Sequence, residues 1–135
     1  SQPLPSLTVA KLSGNSLSAL PDPLSLPKIK TLDFTRNALE LLPEGGWGAM
    51  VSLTELRVAH NRLSALPYPL CEAQRLTTVD VSHNLLTSLL PLPSLPLVKD
   101  LSASHNMLDH LPPSMSAMSS LKRLNVESNR LSEVP

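Results

Sequence analysis

Residues Leu53–Pro67 read L-T-E-L-R-V-A-H-N-R-L-S-A-L-P, and their spacing decides the fold. Apolar side chains fall at Leu53, Leu56, Val58, Leu63 and Leu66, with Asn61 among them and Pro67 closing the run. Written as spacing, this is L-x-x-L-x-L-x-x-N-x-L-x-x-L-P. It recurs along the whole chain, with six motif cores at about 7-21, 29-43, 53-67, 76-91, 98-112 and 121-135. The asparagines stand at 15, 37, 61, 84, 106 and 129, a period of 22 to 24 residues, and only the fourth core slips its proline by one place, to Pro91. A period of that length marks stacked supersecondary units.

Inside one unit the apolar pair Leu56 and Val58 alternates with Glu55, Arg57 and Ala59. That is the period-2 pattern of a short strand with one buried face, which directs Glu55, Arg57 and Ala59 outward. A return segment then brings the chain back, so successive strands lie parallel. One rung cannot bury its own leucines, whereas stacked rungs share a continuous core. At roughly 4.8 Å per rung, six strands would span about 24 Å.

These residues resemble the leucine-rich repeat family over essentially the whole chain. The nearest subtype is the intracellular one with an L-P pair and an L-x-x-L return, seen here as Pro67, Leu70, Ala73, Leu76 and as Pro112, Met115, Met118, Leu121. The resemblance implies an α/β-type solenoid, a curved array with a parallel β-sheet on the concave face. Loops, 3₁₀ turns or short helical returns would take the convex face. It also implies that each asparagine turns inward and satisfies backbone groups of the bend and of neighbouring rungs, as a buried amide must.

Composition narrows the function classes. Of the 135 residues, 41% are hydrophobic and only 2% aromatic, so the core is aliphatic. Eleven basic residues balance eleven acidic ones, which leaves no global field toward nucleic acid or anionic lipid. The single cysteine, Cys71, excludes an intrachain disulfide framework and fits a reducing, cytoplasmic setting. No Asn-x-Ser/Thr sequon occurs. The most apolar stretch, Leu89–Val98, is broken by Pro91, Pro93 and Pro96, well short of the roughly 18 residues that span a bilayer.

Departures from the repeat carry their own expectations. Ala10 and Ala103 stand where leucine is the rule, so those rungs should be thinner. Trp47, flanked by glycines, fills the place held by Leu70 and Met115, which leaves convex core packing and an exposed anchor both open. Leu89–Pro96 reads as an extended, proline-rich return in place of a helical one. Cys71 is expected to be small, buried and inert. No polar capping unit is visible at either end, and Ser1–Ser6 reads as the tail of a preceding return. The chain is thus expected to be one leucine-rich repeat domain taken from a longer protein.

The outward positions form columns. Between the two strand leucines the column runs Lys11, Asp33, Arg57, Asp80, Ser102, Asn125, with alternating sign over its first four members. Such neighbours could pair across the sheet, or offer a polar recognition surface. The column before the asparagine runs Gly14, Arg36, His60, His83, His105, Ser128. Three adjacent histidines raise metal binding or a proton-sensitive contact, but a straight row converges poorly on an ion, so no metal is expected. Walker, G-x-G-x-x-G, H-E-x-x-H and G-x-S-x-G motifs are all missing, and no cofactor is implied.

The reading is therefore a non-enzymatic protein–protein interaction module. It grips a protein partner through Arg57, His60, Asp80, His83 and His105, with Asp33, Arg36, Asp100 and Arg123 extending the surface. Nucleic acid and membrane insertion are not expected, while membership of a larger complex is. A structural wall packed by its edges or convex side is the alternative. A substrate-selecting domain of a larger signalling enzyme is a third.

Overall fold

The computed structural model describes residues 7–20 and 26–131. Within them each motif becomes one rung with a three-residue strand: β1 Val9–Lys11, β2 Thr31–Asp33, β3 Glu55–Arg57, β4 Thr78–Asp80, β5 Asp100–Ser102 and β6 Arg123–Asn125. The strands lie in chain order in one parallel sheet. Register places Ala10, Leu32, Leu56, Val79, Leu101 and Leu124 side by side. The expectations on Ser1–Ser6, Pro21, Val134 and Pro135 lie outside the described residues.

The returns carry short 3₁₀ turns: η1 Trp47–Ala49, η2 Tyr68–Glu72, η3 Leu92–Ser94 and η4 Pro113–Ala117. Prolines or glycine open them, and an N–H just past each turn closes it, as from Ala73 to Leu70 and from Met118 to Met115. Returns are bulkier than the strands, so the stack bends toward the sheet and the sheet lines the concave side. Between the two layers runs a single aliphatic core. Each of its fully buried leucines is worth about 1.5–3 kcal/mol over exposure.

The asparagines knit the rungs together. The Asn61 amide donates to Val58 and Ala59 of its own bend and to Phe34 of the preceding rung, and its Oδ1 accepts the Leu39 N–H. Asn84 and Asn106 repeat this pattern one rung on.

Several details differ from the sequence reading. Ala59 is covered although it stays on the sheet side, where Ser82, its equivalent on the next rung, donates to the Asp80 carboxylate. The strand itself stops at Arg57. The Leu89–Pro96 return is not fully extended: Leu92 opens η3, and Leu92 and Leu95 both enter the core. Proline at the first turn position costs no hydrogen bond there, which is why the turn tolerates Pro93. Cys71 is half-buried rather than buried. Trp47 belongs to the core, and its indole N–H donates to the Pro43 carbonyl at 2.7 Å. Gly46 precedes it at φ 99°, a conformation only glycine adopts freely.

Candidate functional site

The concave face is a set of parallel columns, and the structure gives each a distinct chemistry. The expected column is in register: Lys11, Asp33, Arg57, Asp80, Ser102 and Asn125 are consecutive strand partners. Its charges, however, are held less by cross-strand pairing than by their own rungs. Asp33 Oδ1 accepts from the Thr35 N–H and hydroxyl, and Asp80 Oδ1 from those of Ser82. These local rings order the chain as it leaves the strand. Arg57 donates through Nε to Glu55 at 2.5 Å, while its approach to Asp80 is 4.0 Å. Glu55 and, to a lesser degree, Asp80 and Asp33 hold the guanidinium pKa above its ordinary value against the opposing effect of burial.

Four of the nine predicted residues meet in one open hollow. Arg57, Asp80, Asp100 and Arg123 line it over β4–β6 together with Thr78, Ser102, Lys122 and Asn125. Arg123 stands 3.6 Å from Asp100 across the sheet. Asp33 lies to one side, on β2. Thr78 and Lys122 were not singled out by the sequence, although their places at and just before the strand starts follow from the same register.

His60, His83 and His105 line a different place, the bend just beyond the strands. There Gly14, Arg36, His60, His83, His105 and Ser128 all have positive φ, between 54° and 73°. Five of the six carry a side chain, a conformation in which histidine is enriched over most residues. The column is held by backbone bonds, among them the N–H of His60 to Ser82 and of His83 to Ser104. Neighbouring rungs then stack the imidazoles, with centroids at 4.0 and 4.2 Å and planes within 13°. Parallel planes set the ring-nitrogen lone pairs side by side rather than toward one point, so this is a stack and not a ligand cage. Desolvation lowers the His83 pKa, and the histidines on either side add to the effect. Gly14 was the sequence's signal for the positive φ.

Among the described residues no helix is long and apolar enough to cross a membrane. No family model matches the chain. Among curated proteins it is similar to the mouse (Mus musculus) "Leucine-rich repeat serine/threonine-protein kinase 1", 38% identical over 92% of this chain but 6% of the kinase. It is also similar to mouse "Podocan-like protein 1", 31% identical over 92% of this chain and 27% of that protein. The chain therefore spans well under a third of either relative. Among solved structures, the Leptospira interrogans LRR protein LIC12759 superposes with a TM-score of 0.73 at 27% identity, over 98% of this chain and 40% of the other.

Proposed function

We propose, from the premise that the chain is a leucine-rich repeat protein, that it binds a protein partner through the concave sheet. The fold itself is a typical protein-interaction module, and the concave-face assignment is the further step. One observation carries it: Arg57, Asp80, Asp100 and Arg123 share one hollow, with Thr78, Ser102 and Asn125 adding neutral donors and acceptors. A row of this kind favours a polar, electrostatically selective contact. It supplies arginine but no aromatic ring as an anchor.

We read the 135 residues as one array of six repeats, and its setting as cytoplasmic, on the strength of the lone thiol of Cys71. Any enzyme activity would belong to parts of a longer protein. The kinase relative shares only 6% of its length with this chain, and its activity stays with that protein.

The test is a pull-down with mass spectrometry, using the wild type and Arg57→Glu/Asp80→Lys side by side. A partner lost only from the variant, with circular dichroism unchanged, supports the reading. Identical partners from both proteins would rule it out and favour a wall packed by its edges or outer side.

A further inference from the structure

The balanced charge of the chain conceals a strong segregation. One residue before the strands, Thr8, Lys30, Thr54, Thr77, Lys99 and Lys122 form a further column, knit by backbone bonds such as Thr54 N–H to Lys30, Thr77 N–H to Thr54 and Lys122 N–H to Lys99. Two positions earlier, Lys28 and Arg75 join the same side, and Lys30 and Arg75 flank one depression with Val51, Ser52 and Thr54. Lys28, Lys30, Arg75, Lys99 and Lys122 are five of the chain's eleven cationic residues, and all five are exposed.

None of the five takes part in an ion pair within the described residues. The acids closest in sequence are committed elsewhere. Glu55 holds Arg57 and Asp100 holds Arg123. Glu72 leans over Gly48 on the return side. The segments that follow the strands differ, since they mix Arg36, Arg62 and Arg130 with Glu40, Asp109 and Glu127. Two large apolar side chains, Val51 and Leu97, are exposed on the basic rim.

We propose that this rim is a second docking surface, which takes an extended acidic polypeptide segment with apolar residues between its carboxylates. Charge complementarity and shape both argue for that occupant. Lys30 and Lys122 lie four rungs apart, about 19 Å at the usual strand spacing, which an extended segment of about six residues spans. The track is narrow, with Lys30 on one side of the neutral Thr54 and Thr77 and Lys99 and Lys122 on the other. Single-stranded nucleic acid would call for stacking rings, which the rim lacks. A membrane surface would call for a wide apolar face, whereas only Val51 and Leu97 are offered. The surface adjoins the concave hollow at Lys122, which lines both, while Lys28, Lys30, Arg75 and Lys99 lie outside the hollow.

The test is fluorescence anisotropy of the whole chain with a labelled peptide of alternating Glu and Leu. The matching Lys-Leu peptide, phosphatidylserine vesicles and a labelled oligonucleotide serve as parallel arms. The acidic peptide should bind, and binding should weaken as salt rises from about 0.1 to about 1 M and the screening length shrinks. Lys30→Glu/Arg75→Glu should reduce affinity by about tenfold or more, while Arg57→Glu/Asp80→Lys leaves it within about twofold, since exposed charges beyond the screening length act weakly. Should the charge-reversed pair fail to fold by circular dichroism, Lys30→Gln/Arg75→Gln gives the same reading with a smaller loss. The proposal is overturned by equal binding of both peptides, by undiminished binding to the folded rim variant, or by capture of vesicles or oligonucleotide without the acidic peptide.

Discussion

Leu56 on β3 and Leu124 on β6 hold the same place in the repeat, yet Leu56 is 0% exposed and Leu124 40%. Nothing in the two side chains differs. What differs is the number of neighbours among the described residues, where β3 lies between two strands and β6 pairs with one. The same holds for Phe34 and Leu12, the first buried and the second 44% exposed. In this fold the burial of a residue is a property of the adjacent rungs, so one motif yields core in the middle of the stack and surface at its edge.

The sharpest way to break that comparison is to truncate both leucines. Leu56→Ala should destabilise by about 2–5 kcal/mol, the transfer loss plus a cavity the packed rungs cannot close. Leu124→Ala should cost less than about 1 kcal/mol, since the side chain is already partly in water. Urea unfolding followed by circular dichroism measures both. Similar losses would mean that the middle and edge rungs share one cooperative core regardless of neighbours.

Asparagine sharpens the comparison by a different force. Asn61 is buried, with four backbone partners on two rungs, whereas Asn15 is exposed and, among the described residues, donates within its own bend, to Leu12 and Ser13. Asn61→Ala orphans the Leu39 N–H in an apolar setting and leaves the Phe34 carbonyl with the Asn37 amide alone. The expected cost is on the order of 2–3 kcal/mol, because an unmet buried group loses its full hydration. In Asn15→Ala water replaces the amide, and the loss should stay near about 0.5 kcal/mol. The same unfolding series decides it, and an Asn15→Ala loss as large as that of Asn61→Ala would contradict the ladder.

Much of this was legible beforehand, and each exception has its own physical cause. The leucine spacing gave the rungs and their register, and the asparagine spacing gave the bend, because both are local patterns repeated six times. Ala59 keeps the sheet-side direction that period 2 gives it but is covered, because adjoining rungs close around so small a side chain. The basic rim went unseen for another reason. It draws Lys28 and Arg75 from returns and Lys30, Lys99 and Lys122 from strand starts, which only the stacking brings into line. Of the nine predicted partner residues, the four in the hollow and the three in the stack proved to be separate groups, because the bend after each strand rotates the histidines away from it.

That rotation underlies the smallest expected effect, which compares the middle of the histidine stack with its ends. His83 has an imidazole on both sides, and His60 and His105 have one stacked partner each among the three. Facing His83 are also Asp80, which opposes the lowering of its pKa, and Arg36, which reinforces it. With the folded-state pKa below the unfolded value, the unfolded chain takes up its proton first as pH falls. The contribution of the neutral ring is therefore complete above the unfolded pKa of about 6.5 and is lost as pH falls through the lower folded value. His83→Asn keeps a residue that tolerates positive φ and removes the titration. Relative to this variant, the wild type should lose thermal stability between about pH 7.5 and about pH 5.5, by a small margin because the ring is exposed to solvent. A proton NMR titration should give His83 a midpoint below the ordinary histidine value. A His83 midpoint at the ordinary value, with parallel melting curves for the variant and wild type, would show that stacking leaves the protonation of the middle ring untouched.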